Sequence, residues 1–184
     1  LVVAVVLSMA VLFLFFGDFK ASLIVGSSMP ISLLLTFILM EAAGFSLNIV
    51  TMGAMVIAIG MMVDSSIVVI ESCFRAQEEH PDIKQAALMG TQEVTASIVA
   101  STITTIVVYL PLAMMKGLSG QIFGQLGYTI VFAMMASLIM ALTLVPLFYT
   151  RFRPKEKTEI PMNRLLNRFN VFYQKLLRRL LNRK

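Results

Sequence analysis

Tryptophan is absent from this 184-residue sequence, and cysteine and histidine occur once each. The single cysteine, Cys73, allows no disulfide within the chain, and together with His80 it is too little for a zinc cluster. Charged residues make up only 14% of the sequence, against roughly 25% in average soluble domains. Hydrophobic residues reach 58%, more than a soluble chain of this length can bury, which argues against a soluble enzyme or a disordered tail. The sequence predicts a membrane protein.

The formal net charge of +5 does not indicate nucleic-acid binding, because the basic residues are unevenly placed. Eleven of the 15 Lys and Arg residues lie in residues 151–184, after the last long apolar run. This pattern is typical of a basic segment beside a membrane. Residue 1 lies within an apolar run, with no initiator methionine or signal peptide. We interpret the chain as a fragment that starts inside a transmembrane helix.

Five apolar runs approach or exceed the roughly 20 residues that a membrane-crossing helix needs. They are residues 1–16, 23–43, 47–73, 94–115 and 128–149. The predicted connections are residues 17–22 and 44–46, a polar loop at 74–93, and residues 116–127. The sequence therefore predicts an all-α, polytopic membrane helical bundle of five transmembrane helices within residues 1–150, followed by a separate basic segment, residues 151–184.

The basic residues also predict the orientation of the helices. Fourteen of the 15 Lys and Arg residues fall on one side of the predicted membrane, and only Lys116 falls on the other. By the positive-inside rule, residues 74–93 and 151–184 are cytoplasmic, and the turn at Gly44 and residues 117–120 face outward. In the basic segment, apolar residues recur at steps of three and one opposite Arg and Lys residues. This spacing predicts an amphipathic helix on the membrane surface, which acts as a connector or as a regulatory or partner-binding element.

One acidic residue, Asp64, lies deep inside the third apolar run. A charged carboxylate at the centre of a span costs about 2.5–3.5 kcal/mol on insertion scales, and burial favours its neutral form. A carboxyl group poised between these two states is what a proton relay requires. No Lys, Arg or His lies within another predicted span to pair with it. We predict that Asp64 is a proton relay whose cationic partner, if it has one, lies outside this chain; the alternative is a structural, hydrogen-bonded aspartate.

Neighbours of Asp64 are predicted to assist it. Gly60 lies one turn earlier on the same face and allows another helix to pack closely at the relay. Glu71 lies two turns later, near the cytoplasmic end, where it exchanges protons with water or serves as an ordinary interfacial carboxylate. Ser65 and Ser66 add hydroxyl groups to the relay, unless these bond only to the backbone of their own helix.

Two protease mechanisms and a metal pathway are disfavoured by the residues present. The segment Gly-Leu-Ser-Gly at 117–120 resembles the motif of rhomboid intramembrane proteases, but His80, the one available histidine, lies on the opposite predicted side. An aspartyl protease needs two carboxylates in one site, and Asp64 is the only deep aspartate. The 14 methionines are scattered, as is typical of packing rather than of a soft-metal path. We expect no enzyme activity, no metal and no cofactor.

The run around Asp64, Gly-Met-Met-Val-Asp-Ser-Ser-Ile-Val-Val-Ile-Glu, resembles the aspartate-bearing fourth transmembrane helix of resistance-nodulation-division (RND) efflux pumps. Further segments resemble the same pumps in order along the chain: residues 17–24, 29–32, 44–48, 110–113, 117–123 and 141–146. The basic segment resembles the membrane-surface helix that joins the two pump halves. The resemblance implies that this chain is helices two to six of the first half.

The resemblance implies a multi-pass protein of the cytoplasmic (inner) membrane that exports hydrophobic or amphiphilic compounds by proton antiport. It also implies partners: protons, these substrates, the lipid bilayer, the remainder of the pump in a homotrimer, and an extracytoplasmic adaptor. Residues 118–121 and 141–146 resemble the hydrophobe/amphiphile (multidrug) branch. Drug exporters usually carry two adjacent aspartates, whereas Ser65 follows Asp64 here, which implies fewer titrating carboxylates per cycle.

Three alternatives stay open at this point. A heavy-metal efflux pump also carries one aspartate at the position of Asp64. A protein-export or lipid-handling relative shares the G-x-x-x-D helix. A structural membrane subunit that transports nothing is the third.

Overall fold

The computed structural model describes residues 2–154 and residue 173, and these residues form five α-helices and no β-strand. The helices are α1 (Val2–Phe16), α2 (Phe19–Ala42), α3 (Ile49–Glu79), α4 (Ile83–Ala113) and α5 (Gly117–Phe152). The predicted all-α class is confirmed. Helices α2 to α5 are long and apolar enough to cross a membrane, whereas α1 has 15 residues and is shorter than a usual span.

Short turns with specific caps reverse the chain between helices. Gly44 has a left-handed backbone conformation, with φ of 76°, which glycine adopts without the steric cost that a Cβ imposes. At the start of α3, the Asn48 side chain accepts a hydrogen bond from the Thr51 N–H, and the Thr51 hydroxyl accepts one from the Asn48 N–H. Asp82 caps α4 by accepting a hydrogen bond from the Lys84 N–H. These caps satisfy helix-terminal N–H groups and fix where the helices begin.

The predicted loops at residues 74–93 and 116–127 are wrong. Helix α3 continues to Glu79 and α4 begins at Ile83, so three residues link them, and α5 already begins at Gly117. Residues 74–93 are rich in Ala, Gln and Glu, which are strong helix formers. Polarity in this chain therefore marks where the apolar span ends, and the helix continues beyond that point.

Helix α5 contacts α2, α3 and α4, and α3 also contacts α4, so the buried side chains form a core between these four helices. One close crossing joins α3 and α4. A Cβ added at Gly90 would lie 2.7 Å from the carbonyl oxygen of Ser72, so only glycine allows the two backbones to approach this closely.

Proline divides the long helices into two kinds. Pro30, Pro111 and Pro146 lie inside α2, α4 and α5, respectively, whereas α3 contains no proline. A proline inside a helix removes one backbone hydrogen bond and favours a kink. Helix α3 is therefore the one long helix of the described residues with an uninterrupted backbone.

The predicted amphipathic surface helix lies almost wholly outside the described residues and stays a prediction. The first two residues of the predicted basic segment, Arg151 and Phe152, belong to the end of α5.

Candidate functional site

Asp64 lies at the midpoint of α3, fifteen residues from Ile49 and fifteen from Glu79. At 1.5 Å per residue, about 22 Å of helix extends to either side of it. This position is as far from the two ends of a spanning helix as the helix allows. The structure thus gives the position of Asp64 along the helix, and its depth in the membrane stays a prediction.

Asp64 belongs to an open face of α3. We define the open face as Gly53, Ile57, Gly60, Asp64, Val68 and Glu71, all of which are exposed. A Cβ built on Gly60 or on Gly53 would meet no atom within 4 Å. Within the residues that the structure describes, no helix covers this face.

The opposite side of α3 is packed against the other helices. We define the packed face as Met55, Ala58, Met62, Ser66, Val69 and Cys73, each at most 2% exposed. Residues of the packed face lie about half a helical turn away from the open face. One face of α3 thus packs against neighbouring helices, and the other face is free to contact groups outside the described residues.

Ser66 forms a hydrogen bond across the interface with α2. Its hydroxyl oxygen lies 3.0 Å from that of Ser28, and both side chains are buried. The Ser28 hydroxyl also lies 2.7 Å from the carbonyl oxygen of Val25 in its own helix. Ser66 therefore does not bond only to its own backbone. Ser65, the predicted relay hydroxyl, is half-buried beside the open face.

A second hydrogen bond joins the same turn of α3 to α5. The Ser137 hydroxyl donates to the carbonyl oxygen of Met62 at 3.1 Å, and Ser137 is buried. Met62 precedes Asp64 by two residues, and Ser66 follows it by two. The turn that carries Asp64 is consequently bonded to α2 on one side and to α5 on the other.

Glu71 lies on the open face toward the C-terminal end of α3 and forms an ion pair. Its carboxylate is 3.9 Å from the Arg75 guanidinium, and more than half of each side chain is exposed. Such exposed pairs contribute little to stability. The geometry is compatible with both predicted roles of Glu71, proton exchange with water and an ordinary interfacial carboxylate.

The same end of α3 is held firmly on its packed face. Tyr149 of α5 is fully buried, its hydroxyl contacts the carbonyl oxygen of Cys73 at 3.3 Å and the side-chain oxygen of Gln77, and its ring packs edge-on against Phe74. The Ser72 hydroxyl donates to the carbonyl oxygen of Gly90 in α4 at 2.8 Å. Helices α4 and α5 therefore both bond to the C-terminal half of α3.

The arrangement does not support the serine protease mechanism. His80 lies between α3 and α4, whereas Ser119 lies at the start of α5. The 31 residues of α4 separate these positions, a distance of about 46 Å along the helix, so the two side chains cannot form a catalytic pair. Among the described residues, no group of three or more His, Cys, Asp or Glu side chains could hold a metal ion.

Two residues of this site, Ser28 and Ser137, were not identified from the sequence. The available signal was a serine within the second and fifth apolar runs. Many hydroxyl side chains share that signal, and most bond to their own helix, as Thr36 and Thr105 do. Only the register between the helices distinguishes the serines that reach α3.

This chain is similar to known proteins over most of its length. The model of the family described as AcrB/AcrD/AcrF matches residues 1–184. The chain is similar to the swarming motility protein SwrC of Bacillus subtilis (strain 168), with 39% identity over 160 residues, which is 85% of this chain and 15% of that relative. It is also similar to the multidrug resistance protein MdtC of Pectobacterium atrosepticum, with 37% identity over 169 residues, which is 91% of this chain and 16% of that relative. The multidrug resistance protein MdtC of Salmonella arizonae is 40% identical over 147 residues, which is 80% of this chain and 14% of that relative. The chain spans about 15% of the length of these curated relatives.

Proposed function

Because this chain belongs to the AcrB/AcrD/AcrF family, we propose that it is part of the proton-translocating membrane domain of a secondary active transporter. This transporter exports hydrophobic or amphiphilic compounds in exchange for protons. The name of the MdtC relatives, multidrug resistance protein, supports that class of substrate. Asp64 carries the proton.

The observation that carries this proposal is the position of Asp64 at the centre of α3 on its open face. A carboxylate that faces hydrocarbon costs about 2.5–3.5 kcal/mol even on the lowest scales. The open face must therefore meet protein or water in the complete transporter. Because a ligand shifts a conformational equilibrium only when two conformations bind it differently, a proton on Asp64 drives transport if the contacts on this face change during the cycle.

Three neighbours support the relay in this proposal. Gly60 leaves room for a helix from outside the described residues to approach Asp64 closely. Glu71, exposed at the cytoplasmic end of the same face, exchanges protons with water. Ser65 offers a hydroxyl beside the carboxyl group but cannot itself titrate in the working range of pH.

The proposed arrangement in the cell follows from the charge asymmetry. Residues 1–150 form a transmembrane part in the inner membrane, and the basic residues 151–184 lie on its cytoplasmic surface as a linker and amphipathic helix. The remainder of the transporter, assembled as a homotrimer, supplies the groups that face Asp64. An extracytoplasmic adaptor is a further proposed partner.

The test uses the complete transporter reconstituted in lipid vesicles. Asp64→Asn keeps the size and much of the hydrogen bonding of the side chain but fixes it in a neutral state. We expect substrate-driven pH change across the vesicle membrane to stop, because a residue that cannot ionise couples to neither the proton gradient nor the membrane potential. The membrane potential supplies about 2.3 kcal/mol per charge per 100 mV. Ser65→Ala is the matched control, and we expect it to transport nearly normally.

Folded protein is measured alongside transport by size-exclusion chromatography of the detergent-solubilised transporter. A monodisperse Asp64→Asn protein that retains proton flux would contradict the proposal. In that case Asp64 is a structural, hydrogen-bonded residue.

A further inference from the structure

Two buried hydrogen bonds connect the Asp64 turn of α3 to neighbouring helices. One joins the hydroxyl groups of Ser66 and Ser28 at 3.0 Å, and the other runs from the Ser137 hydroxyl to the Met62 carbonyl oxygen at 3.1 Å. The three serines are each 2% exposed. Two residues correspond to about 200° around a helix. Both bonds therefore lie on the side of α3 opposite to Asp64.

The proton donors in this network can be assigned by counting hydrogens. A serine hydroxyl has one proton to donate. The Ser28 proton is directed to the Val25 carbonyl oxygen at 2.7 Å, so Ser66 is the donor in the bond at 3.0 Å. The Met62 carbonyl has two lone pairs and accepts both the Ser137 hydroxyl and the helical N–H of Ser66. The two interhelical hydrogen bonds are thus connected through Met62 and Ser66, and together they join α5, α3 and α2.

Charged side chains do not supply an equivalent restraint among the described residues. Helix α2 carries charge only near its ends, at Lys20 and Glu41, and in α5 the charged residue is Arg151 in the last turn. Helix α1 has no charged residue, and those of α4, Lys84 and Glu93, lie in its first third. On α3 itself the nearest are Glu71 and Arg75, about two and three turns away.

We propose that Ser28, Ser66 and Ser137 are positioning residues for Asp64. Their hydrogen bonds hold the turn between Met62 and Ser66 against α2 and α5, so the carboxyl group keeps one depth and direction when it gains or loses its proton. This inference rests on the proposed function of Asp64 as a proton carrier. The inference adds that the proton affinity of Asp64 depends on hydroxyl groups that do not contact its carboxyl group.

The test measures substrate-driven proton flux in vesicles as a function of pH for the complete transporter. Ser28→Ala and Ser137→Ala each remove one hydrogen bond between helices. We expect each variant to change the proton concentration at half-maximal flux by about threefold. One hydrogen bond between membrane helices changes an equilibrium constant by about this factor on average. Ser32→Ala is the matched control, because Ser32 is also 2% exposed in α2 but its hydroxyl donates at 2.8 Å to the backbone carbonyl oxygen of Ser28 in its own helix.

A double variant separates a shared bond from two independent effects. Ser28 and Ser66 share one bond, so Ser28→Ala/Ser66→Ala should show the same displacement as either single variant. A pH profile identical to that of the wild type in both Ser28→Ala and Ser137→Ala overturns the inference. An equal displacement in Ser32→Ala also overturns it.

A disulfide cross-link tests the same inference if the alanine variants reduce the amount of folded transporter. In Ser28→Cys/Ser66→Cys, oxidation replaces the hydrogen bond by a disulfide, and the variants Ser28→Cys and Ser66→Cys, which also contain Cys73, are the controls. We expect the oxidised protein to recover the wild-type pH profile. Loss of transport on oxidation overturns the inference, since it means that α2 and α3 must separate here during the cycle.

Failure of this inference is distinguishable from failure of the proposed function. Proton flux retained in Asp64→Asn contradicts the proposed function. If Asp64→Asn stops the flux while the serine variants keep the wild-type profile, only the positioning role is refuted.

Discussion

The two faces of α3 use polar groups in opposite ways. On the packed face, the hydroxyl groups of Ser66 and Ser72 are buried and hydrogen-bonded to α2 and α4. On the open face, Asp64 and Glu71 carry ionisable groups that no other helix of the described residues covers. Neutral hydroxyl groups thus join helices, and the carboxyl groups lie where further contacts can form.

This difference separates stability from function within one helix. Contacts on the packed face are complete in the described residues, so substitutions there should change the stability of the bundle. The proposed function requires that the open face contact groups outside them, so substitutions there should change transport. Four substitutions test this separation, in order of decreasing expected effect.

The largest loss of stability is expected at Gly90, where α4 meets the packed face. Gly90→Ala places a Cβ 2.7 Å from the Ser72 carbonyl oxygen and 2.8 Å from the Cys73 Cα. Overpacking costs about 1–3 kcal/mol, more than the roughly 0.5–1 kcal/mol that alanine gains over glycine in a helix. We expect a lower thermal midpoint of the solubilised complete transporter. Gly60→Ala is the control on the open face and should not lower the midpoint; an unchanged midpoint in Gly90→Ala contradicts the close crossing.

The next effect is expected in transport rather than stability. Gly60→Leu adds a large side chain to the open face, where the described residues leave free space. We expect the folded bundle to tolerate the leucine side chain, which should however block the approach of another helix to Asp64. Substrate efflux should therefore decrease from Gly60→Ala to Gly60→Val and further to Gly60→Leu. The measurement is efflux from cells at matched protein levels. Normal efflux in Gly60→Leu would mean that nothing packs at this position.

A smaller loss of stability is expected at Tyr149 on the packed side. Tyr149→Phe removes the hydroxyl that contacts Cys73 and Gln77 but keeps the ring contact with Phe74. A single hydrogen bond contributes about 0.5–1.5 kcal/mol net, so the thermal midpoint should fall less than in Gly90→Ala. Tyr128→Phe, at a more exposed ring in the first half of α5, is the control. A larger fall in Tyr149→Phe than in Gly90→Ala reverses the expected order.

The smallest effect is expected at Glu71. Glu71→Gln removes an exposed ion pair with Arg75, and such helical pairs contribute about 0.3–0.5 kcal/mol, so stability should hardly change. We expect slower proton flux in vesicles, because a carboxylate that exchanges protons with water is lost, but not the complete loss expected for Asp64→Asn. Arg75→Gln breaks the same pair and keeps the carboxylate. Equal slowing in both variants assigns the effect to the ion pair and not to proton exchange.

The helices and the central acidic residue could be predicted because both depend on local composition. Apolar runs of about 20 residues require helices in a membrane, and an aspartate within such a run is conspicuous. The ends of α3 and α4 could not be predicted in the same way. Residues 74–79 and 83–93 are polar and helical, so polarity and helix ends do not coincide.

The surroundings of Asp64 depend on information that a single sequence does not contain. Ser28 and Ser137 lie 38 residues before Ser66 and 75 residues after Met62, respectively. Their contacts with α3 depend on how far each helix is shifted and rotated against its neighbour. The same rotation decides that Gly60 and Asp64 face away from the core.

The absence of proline from α3 has a mechanical consequence. A proline loosens a helix at one point, and α2, α4 and α5 each contain one, so these helices can flex at defined places. Helix α3 has no such hinge along its 31 residues. We therefore expect a shift at Asp64 to move both ends of α3, each about 22 Å away. The residue proposed to carry the proton thus lies at the centre of the one long helix of the described bundle that contains no proline.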